Sequence, residues 1–157
     1  MDTVLRVIYK TTFPFMKIFW KLFRPNTKGV KVLLICNNEI LLVKNIGKDY
    51  FLLPGGNMRL WGEDPVVCAK REVFEELGIK LVTEPELLGM YNSDLEGKKD
   101  TIYTYIFNLE SKGFTKGWEL DDARWFPLDS DDQKISPATK RRVSEKLAGK
   151  RGIQTVW

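Results

Sequence analysis

Three glutamates fall within five residues of the stretch KREVFEELGI, Lys70 to Ile79, in a chain whose formal net charge is +4. On a helix turning about 100° per residue, Glu72, Glu75 and Glu76 occupy an arc of roughly 100°. Glu72 and Glu76 then stand one turn apart, where like charges cost a few tenths of a kcal/mol. Arg71 lies four residues before Glu75 and can pair with it, but one arginine cannot neutralise three carboxylates. A solvated charged face is the ordinary explanation of such a helix. The alternative is a bound cation: hard divalent ions such as Mg²⁺ take carboxylate and carbonyl oxygens and bridge to phosphates.

The composition narrows the chemistry further. The chain has no histidine, which excludes Ser-His-Asp and Cys-His nucleophilic schemes and histidine zinc sites. Catalysis must run on carboxylates, lysine, arginine, tyrosine or a metal. Cys36 and Cys68 lie in apolar segments and read as reduced core thiols. With no glycosylation sequon and no small-residue cleavage site after the N-terminal apolar region, the expectation is a cytoplasmic protein. At 157 residues with 43% hydrophobic content, the chain suits one globular domain. A pI near 9.0 permits anionic partners.

The acid-bearing segment has well-marked ends. Asp64 is a good N-cap, Pro65 suits the first helical position and Gly78 is placed to terminate, which predicts a helix over Pro65 to Leu77. Ala69, Val73, Val66 and Leu77 form its core face beside the acids. Before it stands LLPGG, a Gly-Gly turn whose carbonyls and close-approach backbone suit a ligand site. The runs VKVLLIC and EILLVKN, separated by Asn37 and Asn38, read as a hairpin, followed by a short strand YFLLP. ELLGMYN, TIYTYIFNLE and ARWFPL read as further strands. SPATKRRVSEKLAG reads as a C-terminal helix entered through Ser136 and Pro137. The order predicts an α/β (α+β) domain, a mixed sheet with helices on its faces.

These residues carry a family resemblance. GGNMRLWGEDPVVCAKREVFEELGI resembles the Nudix box: Glu63, seven residues, Arg71, Glu72, Val73, then Glu75, Glu76, Gly78 and Ile79 all fit the pattern. One departure is a spacing of six rather than five residues between Gly56 and Glu63, by an insertion or by Asn57 taking the first glycine's slot. Another is Leu60 where such loops often carry a glutamate. The resemblance implies the Nudix fold, a mixed β-sheet sandwiched between helices, and the pattern of the preceding residues adds an N-terminal amphipathic helix to it. The chain is thus expected to divide into residues 1–28, helical segment and linker, and 29–157, the Nudix domain. The resemblance implies a pyrophosphohydrolase using Mg²⁺ or Mn²⁺ on a nucleoside diphosphate linked to another group. Metal ligands would be Glu72, Glu75, Glu76 and the Gly55 carbonyl. Arg71 would orient the acids, Glu63 would help hold loop and box together, and Gly55 and Gly56 would belong to the substrate-side loop. Glu72 is the first candidate for general base and Glu119 the second, while Trp118 or Tyr103 could stack on a base. A non-catalytic Nudix module that binds a nucleotide-like ligand is the alternative, disfavoured by the intact Arg71, Glu72, Glu75 and Glu76 set.

Residues 1–24 are rich in aromatic and basic residues, and on a helix their five cations fall within an arc of roughly 60°. Charges interrupt the segment too often for a transmembrane span. Its apolar face suits docking on the domain's own sheet or on a second subunit, with an anionic membrane surface as the alternative. Membrane contact would extend the substrate range to lipid-precursor pyrophosphates such as CDP-alcohols. The expected partner is a small nucleotide diphosphate derivative. Nucleic acid is not expected, because Lys and Arg outside the N-terminus are spread among acids. A homodimer fits the family's habits.

Overall fold

The computed structural model describes residues 26–59, 62–93 and 99–157. The amphipathic segment 1–24, with the docking and membrane expectations attached to it, lies outside these residues, as do Leu60 and most of the loop between Asn92 and Asp100.

Strands β1 (Asn26–Cys36) and β2 (Glu39–Asn45) form the expected antiparallel hairpin. Asn37 and Asn38 both take positive φ, 48° and 64°, which is the backbone a two-residue turn of matching twist requires. Helix α1 (Pro65–Leu77) follows, then β3 (Glu86–Ser93), β4 (Lys99–Asn108), β5 (Leu120–Pro127), α2 (Pro137–Leu147) and β6 (Ile153–Val156). The six strands make one mixed sheet in the order β5-β2-β1-β4-β3-β6, with β1 parallel to β4 and β3 parallel to β6.

Alternation along β1 builds two cores. Val30, Val32 and Leu34 pack with Cys68, Ala69, Val73 and Leu77 of α1. Leu33 and Ile35 face the other way, into a cluster with Leu42, Leu88, Phe126 and Val143 of α2. The period of two in strands and the apolar stripe on each helix thus make a helix-sheet-helix sandwich. Both cysteines are free and buried.

Three local expectations change. β1 begins at Asn26, inside the stretch expected as linker, because parallel pairing with β4 runs from Asn26 to Ile35. YFLLP is not a full strand. Phe51 and Leu52 make isolated bridges to Ile135 and Val43, and Pro54 and Gly56 give their carbonyls to Val32 and Val30. β6 had no counterpart in the sequence pattern. It is anchored by Trp157, which packs edge-on against Tyr91 at 5.5 Å while the Arg142 guanidinium lies over both rings. Among the described residues no helix is long and apolar enough to cross a membrane.

Candidate active site

Helix α1 is held at both ends. Asp64 Oδ1 accepts from the amides of Val66 (2.8 Å) and Val67 (3.2 Å). Gly78 takes the left-handed conformation at φ 65°, and its amide donates to the Phe74 carbonyl. Thr115 and Gly117 amides satisfy the last carbonyls, those of Leu77 (2.8 Å) and Glu76 (2.7 Å). These bonds fasten the final turn, the turn that carries Glu75 and Glu76.

The acids meet the Gly-Gly turn. Glu76 is 5% exposed, and its Oε2 accepts the Gly55 amide at 2.8 Å. Burial pushes its carboxyl up to about 7, against the pull of Lys31 and of the Gly55 hydrogen bond. Glu72 is raised as well, again chiefly by burial. The two glycines keep this approach close, Gly55 against fixed backbone and Gly56 against the Glu72 carboxylate. A Cβ on Gly56 would stand 2.4 Å from Glu72 Oε2, and one on Gly55 would stand 2.4 Å from the Val30 carbonyl, at a φ of +125°.

Arg71 organises the neighbouring charges. Its Nε and Nη2 grip Glu63 Oε1 and Oε2 at 2.8 and 2.9 Å, while Nη1 reaches Glu72 at 2.6 Å and Glu75 at 3.1 Å. The guanidinium holds Glu63 down to about 2. Glu63 Oε2 also accepts the Arg59 amide, and Arg71 Nη2 donates to the Asn57 carbonyl. This network ties the loop before the helix to the helix itself. Cys68, beneath it, is pushed up to about 12 by burial and stays a neutral thiol.

The structure therefore brings Gly55, Gly56, Glu63, Arg71, Glu72, Glu75 and Glu76 together. Glu119 is exposed, and its charge is felt at Glu76. The two aromatics separate. Tyr103 lines a cleft of about 750 Å³ at the N-terminal end of α1, with Lys28, Asn57, Met58, Arg59 and Asp64. Trp118 is 72% exposed and follows Gly117 at the other end of the helix. Sequence reasoning missed two cations. Arg59 Nη2 comes within 3.8 Å of Glu75 Oε1, and Lys31 Nζ donates to the carbonyls of Leu53 (3.0 Å) and Gly55 (2.9 Å). The available signal for Lys31 was a charge inside the apolar run VKVLLIC. Among the described residues no three Asp, Glu, His or Cys side chains stand close enough, as they are, to hold an ion. Glu72 and Glu75 are turned toward Arg71.

Residues 25–147 match the family model of the NUDIX domain. The chain belongs to the NUDIX family. As a Nudix hydrolase it is an enzyme of phosphoric anhydride bonds. The fold is shared with solved structures. A MutT NUDIX hydrolase from Burkholderia pseudomallei is 24% identical at a TM-score of 0.65, over 76% of this chain and 97% of that one. A MutT protein from Bacillus halodurans is 23% identical at 0.68, over 82% and 88%. A UDP-X diphosphatase is 25% identical at 0.66, over 83% of this chain and 66% of that one.

Proposed function

We propose that this Nudix hydrolase depends on Mg²⁺ or Mn²⁺ and cleaves a nucleoside diphosphate linked to another group by attack of water on phosphorus. The substrate class spans nucleoside triphosphates, ADP-ribose or nucleotide sugars, and CDP-alcohols. The observation that carries this reading is Glu76, a carboxylate 5% exposed on a rigid helix, facing Glu72 across one turn beside a glycine backbone. Desolvation disfavours both charges, and a cation would relieve that cost.

The donor set fits a hard divalent ion, with Glu72, Glu75, Glu76 and the Gly55 carbonyl as the holding residues. When bound, such an ion would neutralise the pyrophosphate oxygens and make a water acidic enough to attack near neutral pH. Glu72, or Glu119 after it, accepts the water's proton. Arg71 positions the acids and fixes Glu63, while Lys28 and Arg59 supply positive charge at the mouth of the cleft. Tyr103 offers a face for a base there, and Trp118 offers one at the far end of the helix.

The test is phosphate release from a panel of these substrates, coupled to a phosphatase, with Mg²⁺ and with EDTA. Metal-dependent cleavage supports the reading and names the subclass. Silence across the panel from folded protein would contradict the proposed substrate class.

A further inference from the structure

Gly55 is held from two sides. Its amide donates to Glu76 Oε2 at 2.8 Å, and its carbonyl accepts from Lys31 Nζ at 2.9 Å. Lys31 also donates to the Leu53 carbonyl at 3.0 Å, so its ammonium bridges alternate carbonyls of the segment that leads into the Gly-Gly turn. That segment cannot step aside. Pro54 and Gly56 carbonyls are bonded to β1, and a Cβ added to Gly55 would run into the Val30 carbonyl. Lys31 therefore comes to the acid face on a fixed strand, pointing its charge at a backbone oxygen that belongs to the candidate metal set.

We propose that Lys31 is a positioning residue, the resident counter-cation of the acid face, which fastens the Gly55 carbonyl in the metal-free protein and yields that oxygen when a divalent cation binds. Two physical arguments support the assignment. The Lys31 Nζ lies 2.9 and 3.0 Å from the Gly55 and Leu53 carbonyls, against the turn whose Gly55 amide Glu76 grips from the other side. Further, an ammonium and a divalent ion at one carbonyl repel each other at short range in a medium far less screening than water. The ammonium thus keeps the turn and helix docked without metal, at the expense of metal affinity. The inference rests on the proposed reading of Glu72, Glu75 and Glu76 as ligands.

The experiment is Mn²⁺ titration of the full-length protein by calorimetry, for wild type, Lys31→Gln and Lys31→Arg. Glutamine keeps a donor for the carbonyl and removes the charge, while arginine keeps the charge. Lys31→Gln is expected to bind Mn²⁺ roughly tenfold more tightly than wild type, and Lys31→Arg to stay within about twofold. A merely structural lysine would not tighten binding when removed. Equal or weaker binding by Lys31→Gln, with wild type binding normally, overturns the inference alone. Absence of binding by wild type overturns the ligand reading beneath it. A measurement on wild type needs no variant to fold: the ¹⁵N signal of the Lys31 ammonium, slowed in exchange by its two hydrogen bonds, shifts on addition of Mg²⁺. A signal indifferent to Mg²⁺ contradicts the proposal.

Discussion

Arg71 and Glu63 are joined by two parallel hydrogen bonds, Nε to Oε1 at 2.8 Å and Nη2 to Oε2 at 2.9 Å. Seven residues and a helix N-terminus separate them in the chain, so this fork sets where the loop meets the helix. Only a planar guanidinium can hold Glu63 with two nitrogens while a third reaches Glu72 and Glu75. Lysine cannot reproduce it. Arg71→Lys is expected to keep its fold, lose about 1–2 kcal/mol of stability and lower kcat by roughly 10- to 100-fold. Amide exchange checks the cause, since the Arg59 amide, bonded to Glu63, should exchange faster in the variant.

The Gly56 position tests how closely the backbone cradles the general-base candidate. A methyl at Gly56 would meet the Glu72 carboxylate, the far end of a flexible side chain, so the side chain rather than the sheet gives way. Gly56→Ala is therefore expected to fold and to lose most of its activity. Gly55→Ala meets fixed backbone at a positive φ and should lose stability as well. Melting temperatures and turnover of the two variants separate these effects.

The metal-free protein should weaken as pH rises. Folding raises the Glu76 carboxyl from 4.5 to about 7, so the folded state binds more protons than the unfolded state between those values. Stability is then highest below the unfolded value and falls as pH rises through about 7, by ~3 kcal/mol at most. Glu63 acts oppositely in a separate window: its pairing stabilises above 4.5 and is lost as pH falls toward about 2. Melting in EDTA at pH 5 and pH 8 should show a larger drop for wild type than for Glu76→Gln. Equal drops would contradict the assignment.

Tyr103 and Trp118 lie at opposite ends of the helix, so they should not behave alike toward substrate. Tyr103→Ala is expected to raise KM about tenfold if the base enters the cleft, with Trp118→Ala near wild type. Steady-state kinetics on the best substrate decide it, and the reverse pattern would assign the base to Trp118.

Much of this arrangement was legible in the sequence where local chemistry dictates structure. Asp64, Pro65 and Gly78 bound the helix, Asn37 and Asn38 make the turn, and Ser136 opens the second helix as N-cap. The acid face followed from helical spacing alone. What escaped depends on contacts distant in sequence. Lys31 acquires its role only because LLPGG runs beside β1, and β6 takes its place through parallel pairing with β3 and the packing of Trp157 on Tyr91 and Arg142. Periodicity carries no information about such partners. YFLLP had a strand's composition, yet most of its hydrogen bonds go to single partners on β1 and β2 rather than to a continuous ladder.

The most direct test of the central claim is hydrolysis of the best panel substrate by wild type and by Glu76→Gln, each with Mg²⁺ and with EDTA. Wild type is expected to release phosphate only with Mg²⁺, and the variant, whose shape is unchanged but whose ligand charge is gone, to lose roughly a thousandfold or more. Near wild-type turnover by folded Glu76→Gln, or undiminished turnover in EDTA, would contradict the acid face as the seat of catalysis.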